Sequence, residues 1–367
     1  MRRAIALAGR GAGMVSPNPM VGCVIVRDGE IIAEGFHTKY GAPHAEREAL
    51  ADAAGRNVDV RGATAYVTLE PCSHYGKTPP CADGLIEAGL GRVVVAIEDP
   101  DSQVAGRGIA KLRDAGIAVE VGCCGEEVCR QLAPYIKHRT TARPWVIAKW
   151  AQTADGYLAL PSGEGQWITG ETSRTRVHEI RATLDAIAVG IGTVLADDPL
   201  LTNRTGRGRQ PLRVVVDSNL RIPLDSKLVT SAGEFPLLVA TTNAAAQANP
   251  EIARALQAAD VDVVSVSADC DGHVDLLALQ NELGQRGIVT LQFEGGATLL
   301  CSLLDCALAD ELQVYVSPHC VGRAALEANL PKLDIAKRLS CMKLQMLWEE
   351  GLGEDRFMQF VKSPPQE

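Results

Sequence analysis

The sequence predicts an α/β protein of two domains. Three observations carry that expectation. The chain has 367 residues, more than a single hydrophobic core usually serves. Strand-like apolar runs alternate with helical stretches through both halves, which is the pattern of a layered α/β fold. Between the halves lies Lys137-His-Arg-Thr-Thr-Ala-Arg-Pro144, a polar basic segment, after which Trp145-Val-Ile-Ala-Lys-Trp150 restarts a strand with a new pattern. The boundary is placed there, giving domains 1–142 and 143–367.

Taken in order, the opening Met-Arg-Arg-Ala-Ile-Ala-Leu-Ala reads as an amphipathic helix packed on a sheet. Its apolar run stops at Gly9-Arg10, too short for a signal peptide. Gly22–Val26 and Ile31–Gly35 flank Arg27-Asp-Gly-Glu30, a strong hairpin signal. A helix after His44, a strand at Ala65–Leu69, a helix after Cys81 and a strand at Val93–Ile97 follow. Helix Ile109–Ala115 and strand Ala118–Val121 complete a three-layer unit. In the second half the strands are Ala186–Val189, Arg213–Val216, Leu237–Ala240, Val261–Val266, Ile288–Phe293 and Leu312–Val316. Helices lie near Glu171–Ala182, Asp275–Gln285 and Thr298–Leu308. Val321–Lys343 is rich in charge and is assigned no functional residue, and the proline-bearing tail after Ser363 is expected to be disordered.

The formal net charge is −9, which argues against a nucleic-acid substrate, since phosphate backbones are met by an excess of Lys and Arg. No apolar run is long enough to span a membrane. Eleven cysteines in so long and ordinary a chain do not suggest a secreted disulfide scaffold. Cys23, Cys301 and Cys306 lie in apolar segments, as buried thiols do. A reducing cytoplasm is expected.

The chemistry is concentrated in His44-Ala-Glu46, Pro71-Cys72 and Cys81. One imidazole and two thiolates supply three zinc ligands and leave the fourth position open to water, as catalytic zinc sites do. Glu46 is left over as a carboxylate that carries protons. This is the pattern of zinc deaminases, in which an activated water attacks a ring carbon bearing an amine. His44 and Glu46 stand roughly 200° apart around an ideal helix. They converge only near a helix start, where Pro43 and the stripe Ala45, Ala49, Leu50, Ala53 put one. Cys81, after Pro79-Pro80, also reads as a helix start, where the dipole favours a thiolate. The two cysteines are separated by eight residues rather than a tight knuckle. The intervening loop carries His74 and Lys77, which suit an anionic group, or are no more than a solvated polar surface.

No GxGxxG opens the second half. Its candidate phosphate cradle is Glu294-Gly-Gly-Ala-Thr298, where a strand runs into a helix, though a glycine pair serves a bare turn equally well. Polar residues also cluster in 149–156, 163–169 and 192–202. Each has a bland alternative: Asp155-Gly156 as a turn, Asp198-Pro199 as a helix stop, Trp167 as core.

Pro17-Asn18-Pro19-Met20-Val21-Gly22, His44-Ala-Glu46 and Thr68-Leu-Glu-Pro-Cys-Ser-His-Tyr-Gly-Lys-Thr-Pro-Pro-Cys81 together resemble the bifunctional riboflavin-biosynthesis deaminase/reductase family. Asp99-Pro100 and Val104-Ala-Gly-Arg-Gly108 extend the match, and the polar clusters of the second half fall in the order of that family's reductase. The resemblance implies a cytidine-deaminase-like domain followed by a dihydrofolate-reductase-like one. It implies one Zn2+ per chain on His44, Cys72 and Cys81, proton transfer by Glu46, and substrate contacts at Asn18, His74 and Lys77. It implies NADPH contacts at Ala151, Trp167, Thr193, Asp197, Ser218, Gly296, Ala297, Thr298 and Leu299. Substrate contacts at Lys149, Gly165, Arg181, Leu201, Arg204 and Glu294 follow, with Arg181 and Arg204 suited to a phosphate. The implied substrate is a phosphoribosylamino-diaminopyrimidinone, deaminated and then reduced at the ribosyl carbon, by a homo-oligomeric cytoplasmic enzyme. Ala154, where the family usually has Leu, and Gly165, often Ser, depart from the pattern. Two other readings stay open: a zinc deaminase of a free base or nucleoside with a non-catalytic second domain, and a structural zinc domain joined to a nucleotide-binding one.

Overall fold

Asp28 and Gly29 both have positive φ (51° and 83°), the geometry of a tight two-residue hairpin turn. They join the first two strands of a unit spanning Met1–Arg143, and a second unit spans Pro144–Glu367. The computed structural model describes residues 1–75, 79–101, 104–161, 167–334, 339 and 342–362. The tail from Ser363, expected to be disordered, lies outside the described residues.

The first unit runs α1 (Arg2–Gly9), β1 (Gly22–Arg27), β2 (Glu30–Phe36), α2 (Ala45–Gly55), β3 (Thr64–Leu69), α3 (Cys81–Glu87), β4 (Arg92–Ile97), α4 (Arg107–Asp114), β5 (Ala118–Val121), α5 (Gly125–Gln131) and α6 (Ala133–Thr141). The strands form one sheet in the order β2-β1-β3-β4-β5. Alternate residues of β1 point to opposite faces. Val24 joins Ala4 and Leu7 of α1, while Cys23 and Ile25 join Ala45 and Ala49 of α2. Two glycines let these helices approach. A Cβ on Gly22 would stand 2.0 Å from the Ala4 carbonyl oxygen, and one on Gly35 2.2 Å from the Ala49 nitrogen. The start of α2, which carries His44 and Glu46, is thereby held against the sheet.

The polar basic segment at the domain boundary is largely helix, because α6 continues to Thr141 and Ala142 ends it in the left-handed region. The reason is physical. His138 and Arg139 sit in its last turn, where basic side chains oppose the negative end of the helix dipole. The Thr140 and Thr141 hydroxyls donate to carbonyls one turn back. What reads as a polar connection in sequence is a charged helix terminus.

The second unit runs β6 (Trp145–Gln152), α7 (Glu171–Arg181), β7 (Ala186–Gly190), α8 (Ile191–Asp197), β8 (Leu212–Val216), α9 (Lys227–Thr230), β9 (Leu237–Thr242), α10 (Asn243–Ala248), α11 (Pro250–Ala258), β10 (Val261–Val266) and α12 (Leu276–Gln285). It continues through β11 (Thr290–Glu294), α13 (Ala297–Asp305), β12 (Glu311–Val316), α14 (Arg323–Glu327), β13 (Leu344–Leu352) and β14 (Asp355–Lys362). Its sheet has the order β10-β9-β8-β7-β11-β6-β12-β14-β13. The first seven strands are parallel, and β14 and β13 close the edge antiparallel. Both faces are covered, as a parallel sheet requires. Ala186 and Ala188 pack with Leu279 and Leu303 on one side, and Ile187 and Val189 with Leu228 and Leu256 on the other.

Strand β11 begins at Thr290 rather than Ile288. The backbone N–H groups of Val289 and Thr290 go to the buried Asp185 carboxylate, and that of Ile288 closes α12 on Leu283. Cys306 is exposed at the end of α13, not buried as its apolar surroundings suggest. The hairpin β13–β14 had no counterpart in the sequence reading. It ties down α7, because the buried Asp355 carboxylate accepts from the Gly170 N–H (2.8 Å) and the Ser173 hydroxyl (2.6 Å) at the start of that helix.

Gly35→Ala should force α2 off β2 and destabilise the first unit by about 1–3 kcal/mol, as overpacking does. The check is the urea midpoint of that unit's unfolding transition in the full chain.

Candidate functional sites of the two units

In the first unit, three segments far apart in sequence meet at one point. His44 is the N-cap residue of α2, in an extended conformation, so its ring turns back over the helix start while Glu46 lies in the first turn. Cys72 follows β3, and Cys81 is the first residue of α3. His44 Nδ1 stands 3.6 Å from Cys72 Sγ and 3.4 Å from Cys81 Sγ, and the three donor atoms all lie within 4.8 Å of one another. Tetrahedral zinc, with Zn–N near 2.0–2.1 Å and Zn–S near 2.3 Å, sets such N···S pairs roughly 3.6 Å apart. The donor set therefore fits zinc.

The electrostatics agree. A hydrogen bond from Cys81, against burial, brings the Cys72 thiol down to about 4, with His44 and the Cys81 N–H adding to it. The same closeness, together with burial, drives Cys81 up. Two sulfurs this near ionise together only beside a cation. Burial pushes the Glu46 carboxyl up to about 7, the charge of Cys72 adding to the effect, and a bound dication would act in the opposite sense. Glu46 is 3 % exposed and has the Cys81 side chain among its hydrogen-bond partners. A buried carboxyl beside the donors that is not itself one of them suits a group that both takes and gives protons.

Asn18 reaches this centre through a residue the sequence reading missed. His37, 2 % exposed, packs edge-on to the His44 ring at 5.3 Å. Its Nδ1 donates to the Pro43 carbonyl at 3.0 Å, which leaves Nε2 to accept from Asn18 Nδ2 at 3.2 Å. The amide oxygen of Asn18 is thus turned the other way. His74 is exposed two residues beyond Cys72, and Lys77 lies outside the described residues. Glu70 was also missed. Its buried carboxylate accepts from the N–H groups of Asp99, Gly106, Gly108 and Ile109, fixing the start of α4 behind Pro71 and Cys72. A Cβ on Gly108 would stand 1.9 Å from the Pro71 carbonyl oxygen, so glycine is needed there for close approach.

In the second unit a cleft of about 1520 Å³ opens at the carboxyl ends of the parallel strands, where ligands of such sheets bind. Its walls include Lys149, Ala151, Arg181, Leu201, Arg204 and Glu294. Trp167, Thr193, Asp197, Ser218 and the turn Gly296–Leu299 line it as well. Gly165 lies outside the described residues. Trp167 is 62 % exposed, which overturns its reading as core. Gly295 and Gly296 have φ of 62° and 70°, and a Cβ on Gly296 would stand 3.2 Å from the Thr193 hydroxyl. The glycines thus leave a cradle at the start of α13 that a side chain would fill, suited to a pyrophosphate.

Glu294 lies directly across from Lys149 in the β11–β6 pair. Arg181 grips its carboxylate with both prongs (2.9 and 2.7 Å), and the Gln292 amide adds a third bond at 2.8 Å. Burial alone would raise the Glu294 carboxyl, but Arg181 and Lys149 outweigh it and hold it down at about 2. Burial lowers Lys149 in turn, against the pull of Glu294. Arg181, expected to meet a phosphate, is therefore committed to Glu294. Arg204 is exposed on the cleft wall and makes no side-chain hydrogen bond or ion pair among the described residues. Leu201, between them, has a strained φ of 55°. The bonds from Arg213 to the Leu200 carbonyl and from Arg181 to the Thr202 carbonyl hold it.

His178 and Tyr315, both on the cleft wall, were missed. The spacing of Arg174, His178 and Arg181 on one face of α7 could have found the first.

Residues 144–350 match the RibD C-terminal domain, and residues 1–97 match the cytidine and deoxycytidylate deaminase zinc-binding region. The chain is 44% identical to the riboflavin biosynthesis protein RibD of Actinobacillus pleuropneumoniae, over 100% of this chain and 95% of that one. It belongs to the RibD family. It is 42% identical to RibD of Escherichia coli K12, covering 89% of this chain and 88% of that one. Among solved structures, Acinetobacter baumannii RibD superposes with a TM-score of 0.83 at 36% identity, covering 99% of this chain and 98% of that one. A Thermotoga maritima deaminase/reductase does so with a TM-score of 0.83 at 36% identity, covering 99% and 97%. The chain is thus a bifunctional riboflavin-biosynthesis enzyme, with a cytidine-deaminase-like domain that uses Zn2+ and a dihydrofolate-reductase-like domain that uses NADPH.

The sign of one pH effect follows. Glu294 is held below its ordinary value, so its ion pair contributes stability in full above the ordinary glutamate range, lost as pH falls toward 2. Glu294→Gln should flatten that part of the acid limb, read from thermal unfolding between pH 7 and pH 3.

Proposed function

We propose that residues 1–142 deaminate 2,5-diamino-6-(5-phosphoribosylamino)pyrimidin-4-one, and that residues 143–367 then reduce the ribosyl group of the product to a ribityl chain. His44, Cys72 and Cys81 would hold the zinc, which when bound would lower the pKa of a water in the open fourth position. Glu46 takes the proton of the attacking water and returns it to the departing amine. Asn18, oriented by His37, faces the pyrimidine, and His74 and Lys77 meet the substrate's anionic end. The observation that carries this reading is the three-donor cluster beside a buried carboxylate that is not one of the donors.

In the second cleft NADPH supplies a hydride to the ribosyl C1′. Ala151, Trp167, Thr193, Asp197, Ser218 and the Gly296–Leu299 turn hold the cofactor. Lys149 and Glu294 address the reacting ribose, Arg181 fixes Glu294, and Gly165, Leu201 and Arg204 complete the substrate site. Three further features belong to the same reading. The chain is homo-oligomeric, supported by Met346 and Trp348, each 53% exposed on edge strand β13. It is cytoplasmic, supported by the free thiols of its described cysteines. Its substrate is a small molecule and not a nucleic acid, supported by the net charge of −9.

Glu46→Gln should keep zinc and NADPH oxidation while deamination falls by roughly 10²-fold or more, the usual yield of a positioned acid–base group. Ammonia release is measured on the diaminopyrimidinone and NADPH oxidation separately on the deaminated intermediate; full deamination by this variant would overturn the assignment. Arg204→Ala should raise KM of the reduction about tenfold or more with little change in kcat, as loss of uniform phosphate binding does. A fall in kcat at unchanged KM would refute that role.

A further inference from the structure

Arg47 follows Glu46 in the chain, and neither the metal donors nor the proton carrier accounts for it. It is half-buried in the first turn of α2 and reaches across to α3. Its Nη2 donates to the Pro80 carbonyl at 2.8 Å. The N–H of that same peptide belongs to Cys81 and donates to Cys72 Sγ at 3.3 Å. Because the peptide is planar and rigid, fixing its oxygen fixes its nitrogen. A cation on the oxygen also polarises the N–H, which strengthens its bond to the sulfur.

Gly84, inside α3, is the second half of the arrangement. Its backbone does not lie in the left-handed region, and glycine is a poor helix residue, so local conformation gives no reason for it. A Cβ there would stand 2.7 Å from both Cζ and Nη1 of Arg47 and 2.9 Å from its Nε. The guanidinium occupies the place of the missing methyl.

We infer that Arg47 and Gly84 form a coupled pair that positions Cys81 and its N–H bond to Cys72, and so governs how tightly the centre retains its metal. Arg47 is a positioning residue, acting through the Pro80–Cys81 peptide. The inference rests on the reading that His44, Cys72 and Cys81 hold the zinc. Arg47→Ala removes the shorter of the two bonds to the Pro80 carbonyl, leaving the Gly84 N–H at 3.4 Å. Gly84→Ala drives a methyl into the guanidinium and displaces it. Either change loosens the peptide. Together they should not add, because the methyl then enters the space the arginine has left.

The experiment uses the full-length protein. Zinc content is measured first, then the rate of zinc transfer to a chromogenic chelator, with NADPH oxidation on the deaminated intermediate as a control in the other unit. Arg47→Ala, Gly84→Ala and the shape-keeping Arg47→Met should each release zinc about tenfold faster than wild type, the scale of groups that orient metal ligands. The double variant should release it no faster than Arg47→Ala, and NADPH oxidation should hold at the wild-type rate throughout. Equal acceleration by Gly84→Ala in both backgrounds, or wild-type release by Arg47→Met, would overturn the coupling. Wild-type protein without zinc, or His44→Ala protein that retains it, would instead overturn the ligand assignment.

Discussion

Everything at the first site depends on holding charge in a place that is largely buried. Two sulfurs stand 3.4 and 3.6 Å from one imidazole nitrogen, with a buried carboxyl beside them. Burial opposes every negative charge there. The fold answers with fixed donors and with a donor set that suits a cation. The approach of α2 to the sheet at Gly35, the tether of Glu70 to the start of α4, and the shared Pro80–Cys81 peptide are each a way of holding one donor still.

The second site solves a related problem with paired side chains. Glu294, Arg181 and Lys149 converge at the mouth of a parallel sheet, and the two cations keep the carboxylate ionised against burial. A buried ion pair is seldom a net source of stability, since desolvation offsets much of the attraction. What it supplies is a fixed orientation. The Gln292 amide and the two prongs of Arg181 leave the carboxylate little freedom, and the bonds to the Leu200 and Thr202 carbonyls carry that rigidity to the strained Leu201.

Much of this was legible in sequence where the signal is local. The Asp28-Gly29 turn, the alternating strands and the helix starting at His44 follow from turn chemistry and apolar periodicity. Residues 137–141 hid a helix, because basic residues at a helix end have the composition of a polar connection. The β13–β14 hairpin was missed because β13 is an exposed edge strand and β14, though paired on both sides, alternates only in part. His37 carried no signal at all, since its role depends on Asn18 and Pro43 meeting it from other parts of the chain.

The sequence by itself determined the chemistry available: one imidazole, two thiols and a spare carboxylate in a fixed order, and a glycine pair between a strand and a helix. Such features are set by residue type and short-range spacing, which need no folding to be read. The tertiary structure alone decided which charges face one another. It gave Arg181 to Glu294 and left Arg204 open, buried Glu46 beside two sulfurs, and laid Arg47 into the space Gly84 leaves. Those pairings depend on distances of a few ångströms between segments tens of residues apart, and only packing of the sheets and helices fixes them.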